Sequence, residues 1–465
     1  MTWKGQAVAV QRKTGALVSV VLGFFIVMLD TTIVNVALPN MATSLNTNVV
    51  TLQWVVDAYT LAFAALLLSA GAACDRLGAR AVYVFGLVEF GVLSLVCALS
   101  SSGGVLIIAR ALQGIGAAAI VPGSLALLAT VYPDPAERAR AIGLWGGAGG
   151  IASACGPVLG GLLVSAVGWQ TVFWVNLPII AFGCWLTFHS IDASPHDRTH
   201  RLDPAGQALS IGALVAITYS VISSGERGWT QEQLLVLWIG GVLSLLFVWV
   251  EYRHPDPMLP IGLFRSPRFS AATLVGFALN VSFFGQLFAL SLFSQTYRDY
   301  EPIIAGLALA PQACSAVVAS PLGGRVAAHI GAFPAMFIGL LIGTVGFGSL
   351  VILSSTTPYL LIAIVSFIAG FGMAFAMPAA TSAAVTTAPP SYTGVAGGVI
   401  NAARQTGSVF GVAVLGGMIA GKDTFLAGFH QAVGTASAVF AVAAVLVLIF
   451  LATTRAPVSN KARTH

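Results

Sequence analysis

The sequence predicts an all-α integral membrane protein with fourteen transmembrane helices, arranged as two six-helix bundles that repeat each other, with two helices inserted between them. Only 8% of the 465 residues are charged and 57% are hydrophobic, whereas soluble proteins carry about 25% charged residues. The apolar runs are continuous, which excludes a membrane β-barrel with its alternating pattern. Glycines and prolines of the first half recur at fixed offsets in the second half.

Fourteen runs are predicted as spans, since a helix needs roughly 20 apolar residues to cross a bilayer. The predicted limits are 17–38, 53–73, 81–100, 104–130, 139–166, 170–190, 205–224, 233–251, 269–294, 303–327, 332–354, 358–386, 394–420 and 432–453. The weakest run is 205–224, which contains Ser and Tyr. They divide the chain into a first bundle at 1–190, two inserted helices with flanking loops at 191–268, and a second bundle with a short tail at 269–465.

The basic residues predict the orientation of these spans. With the N-terminus in the cytoplasm, sixteen of the 21 Lys and Arg residues fall in cytoplasmic segments, and three, Arg227, Arg298 and Lys422, fall outside. The other two, Arg110 and Arg404, lie within spans. Cytoplasmic loops carry such an excess of basic residues. We therefore expect a multi-pass protein of the cytoplasmic (inner) membrane with both termini in the cytoplasm.

An internal repeat relates the first six spans to the last six. At an offset of 256 the matched positions are Gly114 and Gly370, Gly116 and Gly372, Pro122 and Pro378, and Gly160-Gly161 and Gly416-Gly417. At an offset of 253, the loop glycines Gly71 and Gly78 match Gly324 and Gly331. Many transporters achieve alternating access with duplicated bundles around a midplane site. Accidental similarity among helices rich in small residues is the alternative.

Ionisable residues well inside the predicted spans are Asp30, Asp57, Glu89, Arg110 and Arg404. A charge placed there costs a few kcal/mol or more, and by default such a residue is functional. At a rise of about 1.5 Å per residue, Asp30 lies roughly 12 Å, Asp57 about 7 Å and Arg110 about 9 Å below the outer ends of their spans. These three therefore share the outer half of the first bundle, whereas the spans of the second bundle contain no acid.

This shared depth predicts proton coupling. A nearby positive charge favours an ionised carboxyl and desolvation favours the neutral form, so a change in the Asp30–Arg110 distance lets the carboxyl take or release a proton. A static ion pair that fixes helix packing is the alternative. Asp57 is predicted to attract a cation or relay protons, unless it is simply wet at the interface. Glu89 is a candidate second proton or cation site, or else a protonated carboxyl that faces a small cavity.

Two further segments are candidates for gating. The cytoplasmic loop after span two contains Gly71, Asp75, Arg76, Gly78 and Arg80. A carboxylate is favoured at a helix N-terminus and Arg can bridge to a neighbouring helix end, which predicts a clasp that holds the outward-facing state. A basic loop with a tight glycine turn is the alternative.

The fifth span contains Gly156, Pro157, Gly160 and Gly161. Pro157 removes a backbone hydrogen bond and kinks the helix, and the glycines allow close approach of a neighbouring helix. The pattern predicts either a seal against proton leak or ordinary small-residue packing.

Five motifs in order resemble the major facilitator superfamily, in its branch of fourteen-span drug:proton antiporters. Four of them are the first-span motif Leu29 to Pro39, the loop motif Gly71 to Arg80, the fourth-span motif Arg110 to Gly116 and the antiporter motif Gly156 to Gly161. The fifth, Trp54 to Tyr59, looks like the motif of the subgroup that exports cationic drugs and quaternary ammonium compounds. Arg404 lies in a segment similar to a thirteenth-span motif, and we expect it to pair with carbonyls or hydroxyls. The chain departs from the family pattern at Ala73, Ala79 and Ala152.

The resemblance and the buried charges together predict a secondary active exporter that exchanges cytoplasmic amphipathic, cationic small molecules for external protons, and implies a role in antibiotic resistance. A dedicated exporter of one metabolite or antibiotic is the alternative. An integral-membrane enzyme is a remote alternative, because the histidines and the five cysteines show no ligand spacing and no phosphate-binding loop is present. We expect no metal and no cofactor other than the coupling proton, no nucleic-acid partner, and function as a monomer in the bilayer.

Overall fold

A computed structural model describes residues 3–192, 203–254, 257–389, 392–420 and 425–454, and this part of the chain is almost wholly helical, without a strand. The fourteen long helices are α1 Trp3–Ser44, α2 Val49–Leu77, α3 Ala79–Ala98, α4 Gly103–Val131, α5 Pro135–Ala166, α6 Asn176–Ser190, α7 Pro204–Arg227, α8 Gln231–Arg253, α9 Pro267–Leu292, α10 Pro302–Ile330, α11 Ala332–Ser349, α12 Tyr359–Thr387, α13 Thr393–Ala420 and α14 Phe425–Thr454. The predicted fold class is confirmed.

Thirteen candidate membrane spans are found among the described residues by length and hydropathy. The one long helix that is not among these thirteen described spans is α13. It is 28 residues long and polar in part, and it packs between α9 and α2. Some limits differ from the prediction. Helix α1 continues through Pro39 to Ser44 instead of ending at 38, and α6 is preceded by a separate turn, Thr171–Trp174. A proline removes one backbone hydrogen bond, and here the helix tolerates that loss.

The internal repeat is visible in the helix bounds. Helix α10 begins and ends 253 residues after α2, and α12 begins and ends 256 residues after α4. The contacts repeat as well. A Cβ on Gly114 would collide with the carbonyl of Tyr59, and a Cβ on Gly370 would collide with the carbonyl of Gln312. Both pairs of helices therefore pack backbone to backbone at glycine, as expected for interfaces of membrane helices.

The inserted helices α7 and α8 pack against each other, and α7 also contacts α2 and α13. Gln207 in α7 donates from Nε2 to the Ala65 carbonyl of α2, at 3.0 Å, and its Oε1 accepts a hydrogen bond from Ser69. Helix α8 exposes Leu235, Trp238 and Leu245. The pair therefore lies outside the two bundles, beside the junction of α2 with α13.

The two bundles are closed against each other at one end, which holds the α1–α2 and α9–α10 connections. Because Pro39 has no N–H, the Asn35 carbonyl is freed from the α1 ladder, and Ser291 of α9 donates to it at 2.5 Å. Gln295 donates to the Val36 carbonyl at 3.0 Å. All hydrogen bonds between described residues of the two bundles lie at this end. We call it the outer seam, after the orientation that the sequence predicts.

Candidate functional site

Asp30 is the centre of a sealed polar cluster in the first bundle. Its side chain is completely buried in α1. Arg110 Nη1 from α4 donates to Asp30 Oδ2 at 2.5 Å, Asn176 Nδ2 from α6 donates to Oδ1 at 3.2 Å, and Gln113 Nε2 lies 3.5 Å from Oδ1. Three helices thus meet on one carboxylate. The structure therefore joins two residues that the sequence placed at one depth, Asp30 and Arg110.

Arg110 is held from several sides. Its Nε donates to the Val55 carbonyl of α2 at 3.1 Å, and Nη1 also donates to Gln113 Oε1 at 2.7 Å. The guanidinium lies over the Tyr59 ring, with Cζ 4.0 Å from the ring centroid, which is a cation–π geometry. The cation therefore connects α1, α2 and α4.

The sequence did not identify three members of the cluster as site residues. Gln113 lies within the fourth-span motif, Ser94 lies in α3, and Asn176 is the first residue of α6. Ser94 Oγ accepts from Gln113 Nε2 at 2.8 Å and from Asn176 Nδ2 at 3.1 Å. All three side chains are fully buried. The feature of the sequence that could have indicated the two amides is a single amide side chain within an apolar run, because buried polar groups need hydrogen-bond partners.

Asp57 is buried without a partner. Neither carboxylate oxygen has a hydrogen-bond partner among the described residues, and the side chain is fully buried. Gln53, one turn earlier, donates to the Val412 and Ala413 carbonyls of α13 at 3.1 and 3.3 Å. Residues four apart share a helix face. Asp57 therefore lies on the face of α2 that turns to α13, close to the outer seam.

Glu89 lies apart from the Asp30 cluster, at the contact of α3 with α4. The residue is half-buried, and its buried Oε2 has no hydrogen-bond partner among the described residues. A Cβ on Gly116 would overlap this oxygen. The structure therefore does not bring Glu89 together with Asp30, Asp57 and Arg110.

The fifth-span motif packs on both sides of α5. A Cβ on Gly156 would collide with Thr32, and one on Gly160 would lie 2.9 Å from the Ile33 carbonyl, directly after Asp30 in α1. On the other side, a Cβ on Gly161 would lie 2.6 Å from the Pro302 carbonyl, and the Pro157 carbonyl lies against Gly306 of α10. The motif thus fixes α1 and α10 to α5 near the outer seam.

The ion pairs expected of the predicted clasp are not formed by Asp75 and Arg76 within the described part of the chain. Both residues are exposed at the end of α2. Gly78 caps α2 with φ +89°, a conformation that favours glycine, and Gly71 has open space where a Cβ would lie. Arg80 lies over Phe188 of α6, 5.4 Å from the ring centroid. The turn is present, whereas the bridging role of the acid and the first Arg stays a prediction.

Arg404 in α13 has a buried Nε without a hydrogen-bond partner among the described residues. The expected carbonyl or hydroxyl partners are therefore not found there. Its stem lies 3.3 Å from where a Cβ on Gly276 of α9 would be.

The family model described as Major Facilitator Superfamily matches residues 20–412. The Methylenomycin A resistance protein of Streptomyces coelicolor is 39% identical over 395 residues, which cover 85% of this chain and 83% of that protein. The Multidrug resistance protein Stp of Mycobacterium tuberculosis is 37% identical over 405 residues, which cover 87% of this chain and 75% of that protein.

Solved structures show the same architecture at low sequence identity. A crystal structure of a peptide transporter POT in complex with sulfate superposes with a TM-score of 0.69 at 15% identity, covering 95% of this chain and 94% of that one. The human organic anion transporter MFSD10 superposes with a TM-score of 0.62 at 18% identity, covering 94% and 99%. At these identities the likeness supports the fold alone.

Proposed function

The chain belongs to the Major Facilitator Superfamily and is a membrane transporter, and we propose that it exports amphipathic, cationic drugs in exchange for protons. Three of its relatives at 37–39% identity are named as resistance proteins, and another at 37% is named as a drug efflux pump. The proposed orientation places the N-terminus and C-terminus in the cytoplasm and the outer seam outside the cytoplasmic (inner) membrane. The coupling ion is the proton, no other cofactor is required, and one copy of the chain is the working unit.

The observation that carries the proposal is the sealed contact between Asp30 and Arg110. When Asp30 takes a proton, its attraction to the guanidinium is lost, and Arg110 keeps the Gln113 oxygen, the Val55 carbonyl and the Tyr59 ring. Because those partners belong to α2 and α4, protonation changes the balance of contacts between α1 and its neighbours. A local proton-transfer event is thereby joined to a movement of helices, which coupling requires.

Asp57 supplies a second step in this scheme. In the closed seam its unpartnered carboxyl is stable only in a neutral form, because a buried charge without a partner is strongly unfavourable. Opening the seam between α2 and α13 admits water and lets the group ionise. External protons can then enter the first bundle through a position that lies on the seam itself, while the substrate leaves by the same opening.

The test uses proteoliposomes that contain the purified chain and an imposed pH gradient. Substrates are first chosen with a growth panel of mono- and dicationic compounds. Asp30→Asn keeps the shape of the side chain but cannot ionise, so we expect at least a tenfold loss of gradient-driven transport. The matched control is Asp299→Asn, which makes the same change at an exposed acid near the outer end and should retain transport. Full gradient-driven transport by Asp30→Asn would contradict the proposal.

A dedicated exporter of one antibiotic is the second candidate function. It is favoured by relatives named for single compounds, such as methylenomycin A and tetracenomycin C. The growth panel separates the two functions. With neutral and acidic antibiotics added to the panel, protection against several unrelated cations supports the broad exporter, whereas protection against one antibiotic alone supports the dedicated one.

A further inference from the structure

Glu89 is a carboxyl on the lipid-facing side of the first bundle. The neighbours on the same stretch of α3, Phe85 and Val92, are 55% and 54% exposed. On α4, Leu112 lies one turn before Gly116 and is 43% exposed. Glu89 Oε2 lies between these helices against Gly116. The exposed surface of α3 and α4 around Glu89 is therefore apolar and contains one acid, and we call this surface the α3–α4 groove.

The internal repeat shows that the fold does not need an acid at this place. Helix α3 begins after Gly78 and α11 begins after Gly331, 253 residues later. The contacts agree, since Gly86 approaches the Gly116 carbonyl and Gly339 approaches the Gly372 carbonyl. The counterpart of Glu89 is therefore Ile342, which is also half-buried. An apolar side chain fills the same position in the second bundle, so packing alone does not account for Glu89.

The chemistry of the groove selects a class of ligand. A carboxyl at mid-span is costly unless it is protonated or paired with a cation. Phe85 is four residues before Glu89, so the two share a helix face, and an aromatic ring beside a carboxylate attracts a cation with apolar substituents. Asp30 and Asp57 are fully buried and are not accessible from this side.

We propose that the α3–α4 groove binds lipophilic cations from the membrane, through the Glu89 carboxylate and the Phe85 ring. The ligand class is a cation whose charge is surrounded by hydrocarbon or aromatic groups. The site is distinct from the Asp30 cluster and faces lipid. This inference rests on the proposed function in one respect, because the groove gives an exported amphipathic cation a place of entry from the bilayer.

The experiment is a labelling and protection assay on the full chain in lipid nanodiscs, without a pH gradient. Dicyclohexylcarbodiimide, which partitions into lipid, adds to a protonated carboxyl, and mass spectrometry locates the adduct. We expect an adduct on Glu89 and none on Asp30, because Asp30 is sealed beneath Arg110. Tetraphenylphosphonium should lower labelling of Glu89 at least fivefold. Glu89→Gln should remove the adduct from that peptide.

Two substitutions test the aromatic part of the site. Phe85→Leu should raise the tetraphenylphosphonium concentration needed for protection several-fold, whereas Phe182→Leu, at a similarly exposed ring on α6, should leave it unchanged. Absence of the adduct, or labelling that tetraphenylphosphonium does not reduce, would overturn the inference. Because binding is measured without a gradient, full gradient-driven transport by Asp30→Asn in the earlier test would contradict the proposed coupling without changing the result of this assay.

Discussion

The two bundles share one helical framework but differ in the chemistry of their interiors. In the first, Asp30 and Arg110 form a buried ion pair surrounded by amide and hydroxyl groups. In the second, the repeat places Ser366 at the position of Arg110 and Gln312 at that of Tyr59. Gln312 Nε2 donates to Gln286 Oε1 of α9 at 2.7 Å, and both side chains are buried. At the positions that match the ion pair, the second bundle is therefore polar and neutral, although Arg404 of α13 also has a buried Nε.

This difference separates the features that both bundles share from those on which the proposed coupling depends. The glycine contacts between α2 and α4 recur between α10 and α12, so both bundles are held together in the same way. A neutral amide pair does not change charge between pH 5 and 8, whereas a carboxylate beside a cation can exchange a proton when its surroundings change. The proposed proton chemistry is thus confined to one half of a duplicated structure.

The largest expected effect comes from removing the cation of the charged interior. Arg110→Gln leaves Asp30 buried without its counter-ion, and breaking a buried ion pair in this way costs about 3–5 kcal/mol. We expect loss of transport and a much lower thermal unfolding midpoint of the detergent-purified protein. The counterpart change, Ser366→Ala, removes a buried hydroxyl with no partner among the described residues, so its midpoint should stay the same or rise. Equal losses in the two bundles would refute the contrast.

A smaller effect is expected at the repeated glycines. Gly114→Ala and Gly370→Ala each place a Cβ against a carbonyl of the neighbouring helix, and such overpacking costs typically about 1–3 kcal/mol. Thermal unfolding should therefore show similar losses for both. Transport by the folded fraction should fall further for Gly114→Ala, since the displaced residue is Tyr59, which supports Arg110. If Gly370→Ala lowered transport more, coupling would have to involve the second bundle.

The smallest expected effect concerns the outer seam. Ser291→Ala removes the hydrogen bond to the Asn35 carbonyl, which is worth about 1 kcal/mol, so the outward-open population should rise about fivefold. Fluorescence transfer between dyes placed on the two bundles measures this population. Ser282→Ala is the control, because Ser282 donates to the Ala436 carbonyl within the second bundle. An unchanged population for Ser291→Ala would show that this bond does not hold the seam.

Much of the fold and part of the site were predictable from the sequence. Continuous apolar runs predict the helices, and the offsets of 253 and 256 recur in the helix bounds. Asp30 and Arg110 are identifiable as site residues in the sequence because charged residues are rare in membrane spans. The positions of Ser94 and Asn176 were not predictable, because single polar residues on α3 and α6 do not indicate the carboxylate that they face. The role of Pro39 could not be predicted either. The sequence shows that Pro39 frees a carbonyl, but only the structure shows that Ser291 from the other bundle binds it.

The account depends most on the claim that the exchanged proton resides on the first bundle, at Asp30. The most direct measurement is proton release from the purified chain in weakly buffered detergent solution, followed with a pH-sensitive dye when a substrate from the growth panel is added. We predict that the unmodified protein and Ser366→Ala release protons, and that Asp30→Asn, while still folded and binding substrate, releases none. Proton release by Asp30→Asn equal to that of the unmodified protein would contradict the account.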